Sequence, residues 1–502
     1  MKIAIFVLSK YVYINPNNPF VMNTKIEKIS ELSTLMNKNN AVAYDLLRLF
    51  GLFKLGSLLS RLSLEKQQGV RASDLIMALC LFRIHSESIY SAYNKKFNDL
   101  LQVGKNCFYR MLCRQKMDWR RLLYGMVLRY RAILRKEKVE TDTPQAPCCY
   151  ILDDTTLEKT GTHFERLSRV FDHVAGKCVC GYKLLLLAFF DGKSTLPVDF
   201  SLHAEKGKKG DYGFTAKERK AQYKKKKNTP GYIRYKEADE SKLEMSIHMM
   251  KQAWQKGICA RYALTDSWFT CESLISQIQQ IGKGAIHFIG LAKWNRTKYR
   301  INGKAYRPEE IVASKARTQT KSCRKYKCQY IGVNAILGEQ MVRLFLIRYG
   351  KSTRWRILLT TDTRLSFVEA FELYQIRWNI EVLNKENKQY MGLGGSQSRD
   401  FDAQIADATL CFITYIVLAL DKRFSAYETM GAVFEERKAE LFALTLWQRI
   451  LPIIVRLMES LAEALGLYMD ELIHIFIQDE ARAEEYKVML DALEKHKNRL
   501  AA

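Results

Sequence analysis

A chain of 502 residues is too long for one compact core, and 48% hydrophobic composition supplies enough apolar surface to build more than one. Its 80 lysines and arginines against 53 aspartates and glutamates leave a formal charge of +27. Such an excess favours a polyanion, nucleic acid ahead of an anionic membrane, through counterion release. A membrane span is disfavoured because the longest apolar run near the end, residues 408–420, is about seven residues too short; it reads as a buried helix. Twelve cysteines are sparse in this length. Cys178 and Cys180 are separated by one residue and Cys323 and Cys328 by four, so neither pair makes the knuckles of a structural zinc site. A reducing, cytoplasmic interior fits that usage.

The opening MKIAIFVLSKYVYI is apolar but interrupted by Lys10 and lacks a small-residue cleavage site. Met22 is an alternative start, so residues 1–22 are expected to be an untranslated or disordered lead. Residues 23–145 carry apolar residues at three and four spacing, as in AYDLLRLFGLFKLGSLLSRL and VRASDLIMALCLFRIH, and predict a helical region. Within it MDWRRLLYGMVLRYRAILRK carries five arginines. They suit either a basic face against DNA phosphate or a packed helix snorkelling its arginines.

After TPQAP the period changes. CYILDDTT reads as a strand ending in acid, and YKLLLLAFFDGKSTLPVDFSLH as two strands joined by a DGKS turn. Residues 205–237 are polar and rich in lysine, a loop that is either solvated or touches nucleic acid. SKLEMSIHMMKQAWQKG, ARYALTDSWF, CESLISQIQQIG and AIHFIGLA then alternate helix, strand, helix, strand, the signature of an α/β sheet. Residues 294–363 turn to short strands with no helix of length between them. A helix over residues 374–388 and an apolar one over DATLCFITYIVLALDKRF follow, and residues 426–502 read as a helical tail that closes the core or serves dimerisation.

Three acids stand at places where α/β sheets put their chemistry. Asp154 ends the first sheet strand, Asp266 ends a later one, and Glu381 lies on the helix after the short strands. Asp153 adjoins Asp154, and because side chains alternate along a strand only one of the two faces the other acids. On the helix, Tyr374, Arg377, Glu381 and Lys388 fall within roughly 60° of one another, with Leu373, Ile376, Ile380, Leu383 and Met391 on the opposite side. An i,i+4 Arg–Glu pair alone is common on solvated helices. Convergent carboxylates are what phosphodiester chemistry requires, since hard oxygen ligands hold paired Mg²⁺ ions about 3.5–4 Å apart that activate the nucleophile and stabilise the leaving oxygen.

The Tyr-x2-Arg-x3-Glu-x6-Lys spacing of Tyr374, Arg377, Glu381 and Lys388, together with ILDDTT and ALTDSWF, resembles the DDE transposases of the bacterial insertion sequence four family over roughly residues 60–425. The resemblance implies an α/β fold with an RNase H-like catalytic core interrupted by a β-strand insertion and flanked by helical N-terminal and C-terminal regions. The segments are a DNA-binding region at 23–145, core at 146–293, insertion at 294–363 and core again at 364–425. It also implies cut-and-paste movement of a DNA element through a hairpin, on terminal inverted repeats and target DNA, with a homodimer in the synaptic complex. Asp154, favoured over Asp153 by the acid-Thr-Thr pattern, would with Asp266 and Glu381 be catalytic and hold two Mg²⁺ or Mn²⁺ ions. Tyr374, Arg377 and Lys388 would contact DNA, and Trp355 would stack on a flipped base. Two alternatives remain open: another RNase H-like metal nuclease, and a non-catalytic DNA-binding repressor descended from a transposase.

Overall fold

The computed structural model describes residues 49–65, 68–86, 88–91, 104–137, 147–172, 175–205, 227–350, 352–425 and 427–439. Nearly all of these belong to the compact unit made of Leu49–Tyr90 and Val103–Glu435; the other unit comprises Met1–Arg48, Ser91–Gln102 and Glu436–Ala502. The expected lead at 1–22, most of the lysine-rich loop and the tail from 440 lie outside the described residues.

Apolar runs with β-branched and aromatic residues build a mixed sheet. Its first strands are β1 (Cys149–Glu158), β2 (Ser168–Asp172), β3 (Lys177–Phe190) and β4 (Thr195–His203). The long β3 pairs antiparallel with β1 along its length, with β2 near its start and with β4 beyond it. The DGKS segment turns β3 into β4, and Asp191 Oδ1 accepts the backbone N–H groups of Lys193 and Ser194, at 3.0 and 2.7 Å, which fixes the turn. β5 (Tyr262–Thr265) and β6 (His287–Ala292) lie parallel to β1 on its other side. Three antiparallel strands followed by two parallel ones, with helices packed on the sheet, are compatible with an RNase H-like core.

The sheet continues from β6 through β12 (Trp355–Thr360), β11 (Gln340–Tyr349) and β10 (Cys328–Leu337) to the short β7 (Tyr299–Ile301) and β8 (Lys304–Tyr306), with β9 (Lys321–Cys323) beside β10. β10 and β11 are joined by a two-residue loop whose first residue, Gly338, has φ +60°, as a type II′ hairpin requires.

Among the described residues, α1 (Leu55–Arg61), α2 (Ala72–Ile84), α3 (Asn106–Leu112) and α4 (Trp119–Lys136) precede the sheet. α5 (Pro230–Glu237) and α6 (Lys242–Gln255) precede β5, and α7 (Glu272–Ile281) links β5 to β6. α6 begins with a capping box in which Ser241 and Glu244 serve each other's backbone N–H groups. α8 (Pro308–Gln319) is a departure from the expectation of strands alone in this stretch. Only its Pro308 and Ile311 are buried, so no apolar stripe betrays it in the sequence.

After the sheet come α9 (Phe367–Gln375), α10 (Trp378–Gln389) and α11 (Phe401–Phe424). Every residue of α11 from Phe401 to Asp421 is buried, against α2, α3, α4, α5 and β4. By length and composition it is apolar enough to cross a membrane, yet 94% of its apolar window is covered by protein. Thr409 and Thr414 return their hydroxyls to the carbonyls of Ile405 and Leu410, each at 2.8 Å, so neither leaves a buried polar group unsatisfied.

The arginines of α4 divide between the two readings of that helix. Arg120 donates to Asp199 on β4 at 2.8 Å and to Glu237 on α5, Arg129 reaches the Leu52 carbonyl, and Arg131 reaches that of Gly257. Arg121 and Arg135 are exposed. Packing therefore takes three of the five.

Candidate active site

Strand register decides which acids meet. β1 and β5 run parallel with Leu152 beside Thr265, so the next residues, Asp153 and Asp266, stand side by side with side chains on the same face. Asp153 is half-buried, and desolvation and the neighbouring Asp266 push its carboxyl up to about 7, against the opposing pull of Arg377. Asp266 is oriented by its own turn, its Oδ1 accepting the backbone N–H groups of Trp268 at 2.9 Å and Phe269 at 3.3 Å. Thr270 Oγ1 donates to the Asp266 carbonyl at 2.9 Å and closes that turn. Gly290 on β6 lets the turn sit close, because a Cβ there would meet Thr270 Oγ1 at 2.5 Å.

The expected first acid, Asp154, is placed elsewhere. It points to the opposite face, where its Oδ2 accepts from Lys242 Nζ of α6 at 2.7 Å and its Oδ1 lies 3.6 Å from Lys183 Nζ of β3. Nor does Asp154 end its strand, since β1 continues through Glu158. The alternation persists beyond it: Thr155 accepts from Lys388 on α10, and Thr156 from Lys183. Asp153 thus takes the position expected of Asp154, and register, which a single strand's sequence does not carry, makes the choice.

α10 packs on β1 and brings the stripe of Tyr374, Arg377, Glu381 and Lys388 to the acids. Residues 374–388 were expected as one helix; α9 ends at Gln375 and α10 begins at Trp378. Between them the backbone keeps right-handed helical dihedrals but tightens to i→i−3 bonds, Arg377 N to Tyr374 O at 3.0 Å and Ile380 N to Arg377 O at 3.2 Å. At three residues per turn Tyr374 and Arg377 eclipse, and the guanidinium lies 5.8 Å from the tyrosine ring centroid. Ile380, Leu383 and Met391 are buried as their side of the helix predicts, whereas Leu373 and Ile376, at the break, are covered only in part.

Arg377 Nη2 donates to Glu381 Oε1 at 2.6 Å. Its Nε is buried and, among the described residues, has no hydrogen-bond partner. Burial pushes the Tyr374 phenol up, with Arg377, Asp266 and Glu381 all within its electrostatic reach. Lys388 Nζ donates to Thr155 Oγ1 at 2.7 Å, two residues along the strand from Asp153. The stripe and two acids therefore form one neighbourhood. Trp355 stands apart from it. As the first residue of β12 it lies opposite Arg348 of β11, whose guanidinium is 5.0 Å from its ring. It occupies the sheet end that carries Asp266, but two strand spacings away, roughly 10 Å across the sheet.

Among the described residues no group of three or more His, Cys, Asp or Glu side chains is gathered closely enough to hold a metal ion. The donor chemistry nevertheless fits a hard divalent cation at two positions. Asp153 and Asp266 crowd like charge into a half-buried place, a repulsion that a cation relieves. Glu381 is turned to Arg377 instead.

Comparison with curated proteins found no match. Residues 106–325 match the family model described as DDE superfamily endonuclease, from the start of α3 to the turn after β9, a span that includes Asp153, Asp154 and Asp266 and stops short of Glu381. Those residues, fewer than half of the chain, are therefore similar to DDE superfamily endonucleases, a likeness compatible with a metal-dependent nuclease or transposase.

Proposed function

We propose that the protein is a DNA transposase of the insertion sequence four type, which cuts the ends of its element and joins them to target DNA by a cut-and-paste route through a hairpin. The observation that carries this reading is the juxtaposition of Asp153 and Asp266 at adjacent parallel strands, with Tyr374, Arg377 and Glu381 presented beside them from α9 and α10. Asp153, Asp266 and Glu381 would hold the divalent cation, Mg²⁺ or Mn²⁺, whose chemistry is to activate water or a 3′-hydroxyl and stabilise the leaving oxygen.

The chain's own groups do the rest. Arg377 has one nitrogen on Glu381 and an unpartnered Nε, so it has N–H groups left to donate to a phosphate oxygen without giving up its ion pair. Its guanidinium also offsets part of the acid cluster's charge until substrate arrives. Tyr374 donates from beside it, and Lys388, anchored on Thr155, marks the path of the flanking backbone. Two copies of the chain, one per element end, would act together on the inverted repeats.

The test incubates purified protein with a duplex carrying its putative element end in Mg²⁺, in Mn²⁺ and in EDTA, and resolves the products on a denaturing gel. Metal-dependent nicking followed by a hairpin-sized product is expected. Asp153→Asn should reduce cleavage by at least about a hundredfold, beyond the 10–100-fold typical of groups that only support a metal ligand, while end binding in gel shift persists. Simple hydrolysis without strand transfer would point to a nuclease, and tight binding without cleavage to a repressor.

A further inference from the structure

Asp154 sits on the far face of β1 from Asp266, yet a short chain of contacts leads from one to the other. Asp154 Oδ2 accepts from Lys242 Nζ at 2.7 Å, in a pair whose side chains are only 16% and 15% exposed. The same Nζ lies 4.2 Å from the ring centroid of Trp268, a favourable position for an ammonium over an indole. Trp268 in turn donates its backbone N–H to Asp266 Oδ1 at 2.9 Å, and its ring meets buried Phe269 edge-on at 4.7 Å. Trp268 is 42% exposed, so packing alone holds it weakly, and the ammonium supplies what a core would otherwise supply.

We infer that Asp154 is a positioning residue that fixes the rotamer of Asp266 through Lys242 and Trp268, and is not itself a metal ligand. The inference rests on the transposase reading for the role of Asp266. It explains why two adjacent aspartates stand on β1: one faces the reacting centre, and the other anchors, from behind, the turn that carries the second acid. Removing the Asp154 charge leaves Lys242 and the buried Lys183 as neighbouring ammonium groups with no carboxylate between them. Lys242 then leaves the indole, the turn loosens, and the Asp266 carboxylate loses its fixed direction. Lys183 alone offers a rival account, in which Asp154 merely neutralises a buried cation; in that case Lys242 would not matter.

Five variants separate these accounts: Asp154→Asn, Lys242→Met, the double variant that combines those two, Lys242→Arg and Asp153→Asn. Each is titrated with Mn²⁺ in the absence of DNA, and cleavage of the element-end duplex is followed across Mn²⁺ concentration. Asp154→Asn and Lys242→Met should each weaken Mn²⁺ binding roughly tenfold, as loss of support to a ligand does, and regain most of the cleavage rate at saturating Mn²⁺. The double variant should be no worse than either single one, and Lys242→Arg, which keeps the ion pair and the ring contact, should restore binding. Cleavage by Asp154→Asn that stays as low as that of Asp153→Asn at saturating Mn²⁺ would make Asp154 a ligand and overturn the inference. Unchanged Mn²⁺ binding in Lys242→Met would overturn it as well. Wild-type protein that binds Mn²⁺ but cuts no DNA would remove the transposase reading while leaving the comparison of Mn²⁺ affinities to stand.

Discussion

Asp153 carries a proton to far higher pH than an ordinary aspartate, and the sign of the consequence follows from linkage. Its folded-state value of about 7 lies above the ordinary 3.8, so between these two the folded protein holds a proton that the unfolded chain has released. Stability of the metal-free protein therefore falls as pH rises through that window. Asp153→Asn should remove this slope and leave the metal-free protein more stable than wild type above pH 7, read as melting temperature against pH in EDTA. A parallel slope in the variant would assign the effect to another group. At this scale the sequence is informative about chemistry and silent about direction. The types and order of the acids and the Tyr-Arg-Glu-Lys spacing are legible, and so is the rule that Asp153 and Asp154 face opposite ways. Which faces Asp266 depends on the pairing of Leu152 with Thr265, a long-range register that no local pattern specifies.

Elements with strong periodicity or clear punctuation are legible in the same way. β3, the DGKS turn, β4 and the capped helix α6 all lie where the residues predict them. Two features escape. α8 buries too little to show a stripe, and the tightening between α9 and α10 leaves no mark because its residues are ordinary helix formers. α9 is held from the side by β10 and the turn that leads into it: Tyr330 of the strand stacks on Phe367 at 4.2 Å, Tyr326 of the turn meets Phe371 at 4.5 Å, and Lys325 and Tyr326 both donate to Glu372. These contacts differ sharply in energy. Phe367 is buried, so Phe367→Ala should cost about 3–5 kcal/mol. The Lys325–Glu372 pair is exposed at both ends and screened by solvent, so Glu372→Ala should cost far less than Phe367→Ala. Denaturant unfolding of both variants checks the contrast; equal losses would mean that the turn holds α9 by charge.

Across the whole molecule the charge of +27 is the feature on which the proposed DNA binding can be tested. Binding should weaken steeply with salt, log affinity falling linearly against log salt, and do so for unrelated duplexes as well as for element ends. Lys388→Ala should reduce that slope by about one if its ammonium neutralises a phosphate; an unchanged slope would take it off the contact path. The acids themselves come from widely separated parts of the chain, β1, the end of β5 and α10, so the site exists only once the sheet has formed.

α11 extends this dependence into time. The helices from α2, which begins at Ala72, to α5 pack on a helix that is not made until residues 401–424, and at roughly 5–20 residues per second a ribosome needs about 18–70 s to cover the distance from Ala72. For that interval the nascent chain carries strands and helices without their central partner, open to chaperones and proteases. A message or polypeptide cut short before α11 should therefore yield a chain that is degraded, and not a smaller protein that competes with the complete one for DNA.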